Sequence, residues 1–285
     1  VNCELFLLPL QSNKKYISQS VKIKDVIAAL DGFAPLPLQE DFDNAGLQVG
    51  LTEAEVSGAL LCLDATEAIV DEAKRKGCNL IVTHHPLIFR KLSQVSDANY
   101  VQRTVMEAIK SGITIFSMHT NLDSAEGGVN YMMARRLGMD MGSIRLLGEH
   151  EVNGVKGGLG IVGEFKDALS AEEYIKRVKE TFGVKCAMTN ELLQRPIKRL
   201  AICGGAGSFM LSQAIEAKAD AFLTGEMSYH DYFGHEQEIQ ITVIGHYESE
   251  QYTQDLLEEI INERCPGVRT CVTELVTNPI IVHSS

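Results

Sequence analysis

Short apolar runs of strand length alternate with helices along almost the whole chain, and that alternation decides the fold class. VKIKDVIAALDGFA carries Val21, Ile23, Val26, Ile27 and Leu30 at helical spacing. GALLCLDA then reads as a short buried strand, TEAIVDEAKRKG as a helix closed by Gly77, and NLIVTHH as a strand. NYVQRTVMEAIKSG is a helix, ITIFSMHTNLD a strand and GGVNYMMARRLG a helix. A glycine-rich stretch from Gly148 to Phe165 alternates like a hairpin, and Ser170 with Glu173 has the spacing of a capping box at the head of the next helix. Strands RLAICGG, DAFLTGE and ITVIGH follow, separated by helices over FMLSQAIEAK and YHDYFGHEQE and closed by a long helix from Glu250 to Arg264. Strands spaced by helices of about 10–15 residues build βαβ units on mainly parallel sheets.

At 285 residues the length favours two domains of ordinary size. The expected fold is therefore α/β with two similar lobes, residues 21–140 and 141–285, and a seam within residues 139–165. Residues 1–20 read as an extension ahead of the fold. The lobes echo one another. A strand ending IVTHH leads through a helix to one ending HTNLD, and a strand ending AFLTGE leads to one ending GHYESE.

Composition removes several functional classes. A formal net charge of −12 argues against sequence-independent nucleic-acid binding, which needs a basic surface. The seven cysteines are odd in number, scattered and never spaced as CxxC, which argues for reduced thiols, a cytoplasmic setting and no cysteine zinc site. No apolar run reaches about 18 residues, so no membrane span is expected.

Open α/β sheets bind ligands beyond the carboxyl ends of their strands. Four such ends carry His84 with His85, His119 with Asp123, Glu226 with His230 and Asp231, and His246 with Glu248 and Glu250. Five of the eight histidines lie in these places, a concentration that points to metal binding. Neighbouring side chains of a strand point to opposite faces, so His84 and His85 are better placed to hold two ions than to share one. His246 and Glu250 share a face if a helix starts after Gly245, and Glu250 is then placed to bridge. Histidine and carboxylate ligands without thiolate suit Zn²⁺, Mn²⁺, Fe²⁺ or Co²⁺. Each residue also has a plainer reading. The histidine pair can be buried and hydrogen-bonded, His119 can orient its neighbours, Glu226 can cap a helix, and His230 can be a surface residue. CGGAGSFM follows a strand and opens a helix, a context for phosphate on backbone N–H groups or for a tight turn alone. GHYES is not a nucleophile elbow, so serine hydrolase chemistry has no support.

FDNAGLQVG, IVTHHPLIF, HTNLD, TGEMSYH and GHYESE, in this order between Val21 and the NPI near the C-terminus, resemble the Nif-three-like family. Its members are widely catalogued as GTP cyclohydrolase 1 type 2 homologues. The resemblance implies a dinuclear metal site between two α/β lobes, in the compact form of the family, with subunits in a toroidal homohexamer. Carried over by position, His84 and His85 each ligate one ion, Asp123 joins His85, His246 joins His84, and Glu250 bridges. His119, Glu226 and His230 match positions near the site, and Asp43 and Asn44 match a motif expected to shape the cavity wall.

The expected activity is hydrolysis of a nucleotide-like or small phosphorylated substrate, with His119 or Glu226 as proton shuttle. Opening a guanine ring, as the family name implies, needs an activated water and a proton donor. The alternative from another class is a non-catalytic metal-binding regulatory or scaffolding protein. A third reading makes the histidines purely structural.

Overall fold

Strand ends set the architecture, and the computed structural model, which describes residues 20–283, shows where each one leads. The first part of the chain contains α1 (Ile23–Asp31), β1 (Gly46–Val49), β2 (Ala59–Cys62), α2 (Glu67–Lys76), β3 (Leu80–Thr83), α3 (Tyr100–Lys110) and β4 (Thr114–Ser117). Next come α4 (Thr120–Ser124), α5 (Val129–Leu137), β5 (Asp140–Val152), β6 (Val155–Leu169), α6 (Ala171–Phe182) and β7 (Met188–Thr189). The last part holds β8 (Ile197–Cys203), α7 (Leu211–Glu216), β9 (Ala221–Thr224), β10 (Gln240–Val243), α8 (His246–Glu250), α9 (Thr253–Arg264) and β11 (Thr270–Val272). All but the last residue of the expected N-terminal extension lies outside the described residues.

Local chemistry explains several boundaries. The Thr66 hydroxyl accepts from the Ile69 N–H at the start of α2, and Gly77 closes that helix in the left-handed region at φ 64°, where a side chain would be strained. The capping box of Ser170 and Glu173 forms as expected. β3 is buried along its whole length, as a central strand covered on both faces must be. Asn153 and Gly154 both adopt positive φ and close the β5–β6 hairpin between the paired residues Val152 and Val155.

Two sheets result. The first has the order β1-β4-β3-β2-β11, parallel except for β1. The second has the order β5-β6-β8-β9-β10-β7, with only β8, β9 and β10 mutually parallel. The second sheet is thus mixed rather than mainly parallel, because the long hairpin supplies two of its strands without a crossover helix.

Three segments differ from expectation. HTNLD does not continue its strand. The His119 N–H donates to Asn121 Oδ1 (2.9 Å) and the chain turns at once into α4. YHDYFGHEQE forms only one 3₁₀ turn, Tyr229–Tyr232, since none of its residues is buried and Gly234 breaks it at φ 81°. The C-terminal segment, expected in the second lobe with everything after residue 141, returns to the first. Leu256, Leu257, Ile260 and Ile261 of α9 pack in one core with Ile23, Val26 and Leu30, which delivers β11 to the edge of β2. No helix among the described residues is long and apolar enough to cross a membrane.

Candidate metal centre

The carboxyl ends of β2, β3 and β4 face those of β8, β9 and β10, and their polar residues meet there. His84 is fully buried, and its Nδ1 donates to the Met118 carbonyl at 2.7 Å. Nε2 has no hydrogen-bond partner among the described residues, yet it faces Asp123 Oδ1 at 3.6 Å and Glu250 Oε1 at 3.7 Å. These distances are too long for hydrogen bonds even from a protonated ring. A buried ring nitrogen without a partner beside two buried carboxylates is costly, and a cation among the three would satisfy all of them.

Next along the chain, His85 turns the other way. Its Nδ1 meets Asp64 Oδ1 at 2.8 Å, and its Nε2 lies 3.0 Å from Glu250 Oε2 and 3.3 Å from His246 Nε2. His246 Nε2 is 3.2 Å from the same Glu250 oxygen, and its Nδ1 meets Glu226 Oε1 at 2.8 Å. His119 Nδ1 meets Asp43 Oδ1 at 2.7 Å. For His84, His85 and His246, therefore, an outer partner holds Nδ1 and leaves Nε2 for the shared space, as in histidines that ligate metals.

Two sets of three donor atoms converge on Glu250. His84, Asp123 and Glu250 form one, His85, His246 and Glu250 the other, each with its donor atoms within 4.8 Å of one another. Ligand atoms around an ion with bonds of about 2.0–2.2 Å stand about 3–3.7 Å apart, so both sets fit a divalent cation. The donors are nitrogen and oxygen. Burial pushes the neighbouring Cys203 thiol up, and its Sγ donates to the Leu159 carbonyl at 3.1 Å rather than joining either set. These short distances correct the pairing implied by the resemblance. Asp123 stands with His84, and His246 with His85. Just past the end of β3 the two rings diverge, and it is His85, not His84, that meets His246.

The remaining expected residues are placed unequally. His119 faces the same space, and its ligand atom lies within 4.8 Å of those of His84 and His85. Glu226 is exposed and touches His246 from outside. His230 is exposed and packs against Tyr229 and Phe233, away from the converging donors. Asp64 was missed in the sequence, although it follows the end of β2 and obeys the same strand-end rule as the others. The glycine loop after β8 is no phosphate cradle. The N–H groups of Gly204, Gly205 and Gly207 donate to Asn130, Ser249 and Thr224 side chains. Its purpose is close approach, since a Cβ on Gly205 would stand 2.3 Å from Glu250 Oε1.

A cavity of about 580 Å³ opens over the cluster, lined by His85, His119, Asp123, His246 and Glu250 at its base. Phe42, Phe89 and Phe209 also line it and are exposed, with Phe42 and Phe89 edge to face at 6.4 Å. No lysine or arginine among the described residues lines it.

Charge in the cluster is strongly coupled. Burial alone would lower His85, but Asp64 and Glu250 raise it to about 10. Burial likewise opposes the rise of His246 to about 9, which Glu250 drives. Burial pushes the Asp123 carboxyl up to about 7, against the pull of His84. Glu250 is held well below the usual carboxylate range by His84, His246 and His85, although burial acts the other way.

In the metal-free protein the raised histidines contribute stability that is complete below their ordinary value of 6.5 and lost as pH rises through about 9 to 10. Glu250 contributes stability present above its ordinary 4.5 and lost as pH falls through its lower folded value. A metal ion must displace both histidine protons, so affinity at the His85–His246 pair is expected to fall about a hundredfold per pH unit below that range. Competition titrations between pH 6 and 8, in buffers of different ionisation enthalpy, measure the slope and the protons released.

Fold and cluster together define a two-sheet α/β protein whose interlobe cleft carries metal-capable histidines and carboxylates. The DUF34/NIF3 (NGG1p interacting factor 3) family model matches residues 21–279, and the chain belongs to that family. It is similar to a GTP cyclohydrolase 1 type 2 homolog of Clostridium acetobutylicum, 36% identical over 233 residues, 81% of this chain and 86% of that one. It is also similar to NIF3-like protein 1 of Drosophila melanogaster, 31% identical over 274 residues, 93% and 90% of the two chains. Among solved structures, Staphylococcus aureus protein SA1388 superposes with a TM-score of 0.82 at 27% identity, covering 92% of this chain and 99% of that one.

Proposed function

We propose that the protein is a cytoplasmic, dinuclear-metal hydrolase acting on a small, planar, nucleotide-like substrate, in a toroidal hexamer as the family resemblance implies. The observation that carries the reading is the unpartnered Nε2 of buried His84, facing two carboxylates at the base of an open cavity. The relatives named GTP cyclohydrolase 1 type 2 homologs support the nucleotide direction. Two divalent ions, when bound, supply a water of lowered pKa and a Lewis acid for the bond being broken.

The rest of the chemistry belongs to the chain. Asp43 accepts from His119 Nδ1–H, which leaves Nε2 on the cavity side to take and return a proton. Glu226 holds Nδ1 of His246 and serves the site through that histidine. The three phenylalanines form an aromatic mouth suited to stacking a flat ring. With no lysine or arginine among the described residues of the lining, a phosphate chain would extend out of the mouth.

The test is turnover of nucleotides, pterins and phosphoesters by protein loaded with Zn²⁺, Mn²⁺, Fe²⁺ or Co²⁺. Hydrolysis of at least one class is expected, abolished by chelation and restored by metal. Tight metal binding without turnover on any of them would transfer the protein to the non-catalytic, regulatory or scaffolding reading.

A further inference from the structure

Among the described residues, the chain after β11 has no regular secondary structure, yet it returns to the metal cluster. Residues 274–276 and 279–283 are exposed, and only Thr277 and Asn278 between them are half-buried. The Thr277 hydroxyl donates to Asp64 Oδ2 at 2.6 Å, while Oδ1 of the same carboxylate holds His85 Nδ1. Asn278 Nδ2 donates to Glu248 Oε1 at 3.0 Å, and Glu248 lies on α8 between His246 and Glu250. Two consecutive residues thus reach the two sides of the cluster, one through the first sheet and one through the second.

The upstream end of this contact is anchored to α2, and the downstream end is shaped locally. Four residues upstream, the Thr273 hydroxyl and the Glu274 N–H donate to the buried Glu72 carboxylate of α2, which also pairs with Lys76 at 2.9 Å. Downstream, Pro279 restricts Asn278 to extended backbone, and the Ile280 N–H donates to Asn278 Oδ1 at 3.0 Å. The other side of the contact has little slack. Glu248 packs against Gly245, where a Cβ would stand 2.1 Å from Glu248 Oε2.

We propose that Thr277 and Asn278 form a clasp that positions the metal ligands of both lobes, making the C-terminal segment a working part of the centre. The proposal rests on the metal reading above. Thr277 holds the second oxygen of Asp64, which fixes the carboxylate plane and keeps His85 in the tautomer with Nε2 toward the ions. Asn278 holds α8, the five-residue helix that presents His246 and Glu250. Outer partners of metal-bound histidines commonly carry about 10–100-fold in metal affinity. Thr277 acts one step further out, so its share lies near the lower end.

The experiment compares the full chain with Thr277→Val, Thr277→Ser, Asn278→Ala and the Thr277→Val/Asn278→Ala double variant. Co²⁺ is titrated by visible absorption, and Zn²⁺ by chelator competition. Thr277→Val is expected to bind about tenfold more weakly and to shift the Co²⁺ ligand-field bands, with the melting temperature of the metal-free protein little changed. Thr277→Ser restores affinity and spectrum, and the double variant is weaker than either single one. Wild-type affinity and spectrum in the double variant would overturn the clasp while leaving the metal centre standing. Equal losses in Thr277→Val and Thr277→Ser would overturn the part given to the hydroxyl. A wild-type protein that takes up no Co²⁺ or Zn²⁺ would remove the metal reading and the clasp together.

Discussion

Replacing Glu250 with alanine empties the cleft of metal, in the result we expect from its position between the two donor sets. Its carboxylate is 4% exposed, and its two oxygens serve different histidines. Oε2 lies 3.0 Å from His85 and 3.2 Å from His246, and Oε1 lies 3.7 Å from His84. Removing it therefore takes a ligand from both sets at once, while loss of Asp123 or His246 would weaken only one. Affinity should fall by more than the roughly 10–100-fold typical of an outer partner, so purified Glu250→Ala should hold far less than one ion per chain where the wild type holds about two. Plasma mass spectrometry on tag-free protein measures this directly. Two ions per chain in the variant would mean that Glu250 does not bridge. Glu250→Gln keeps the volume and removes the charge. Metal-free, it should be less stable at neutral pH, by at most about 3–5 kcal/mol, since His85 and His246 lose the buried anion that raises them and must either stay charged without it or release their protons.

Much of this centre is legible in the sequence, for reasons that differ from residue to residue. His84 and His85 stand out because β3 is a continuous apolar run, and a polar pair at its end is conspicuous against that background. His246 and Glu250 are linked by helical spacing alone, and α8 starts where Gly245 allows it. The two sheets follow from alternation of strand and helix, and the caps of α2 and α6 from local residue types. Long-range geometry marks where legibility stops. Strand alternation says that the two histidines diverge, but not which one meets His246, and the pairing that the resemblance implies, Asp123 with His85 and His246 with His84, is the reverse of the one the distances show. Asp64 sits just before the Thr66 cap of α2 and looks like an ordinary polar residue at a helix entrance. The turn at His119 depends on the Asn121 side chain bonding back to the main chain, and no apolar periodicity records that. The return of α9 and β11 to the first sheet is a pairing between residues about 210 positions apart, set by the core that α9 shares with α1. Thr277 and Asn278 lie in a stretch with no pattern and gain meaning only from what they touch.

Replacing His119 with alanine should lower kcat by about 10²–10⁴ with metal content unchanged, as expected of a general acid–base group that is not a ligand. The geometry behind this is one-sided. Asp43 is buried, takes Nδ1–H of His119 at 2.7 Å, and also accepts from the N–H groups of Asn44 (2.6 Å) and Thr120 (3.1 Å). Burial opposes ionisation of Asp43, but these donors hold its carboxyl below the ordinary range, so it remains an acceptor at neutral pH. That fixes the ring of His119 and aims Nε2 into the cavity, beside Phe89 at the mouth. Asp43→Asn replaces the fixed acceptor with an amide that can also donate, so the ring can take the wrong tautomer, and kcat should fall in the same direction. Metal content separates this role from coordination, because the ligand atom of His119 also lies within 4.8 Å of those of His84 and His85. If ions are lost from His119→Ala in step with activity, His119 is a third ligand of the pair. If they stay while turnover collapses and the pH–rate profile loses a limb, His119 carries the proton, and the Asp43 carboxylate is what keeps its ring next to the reacting bond.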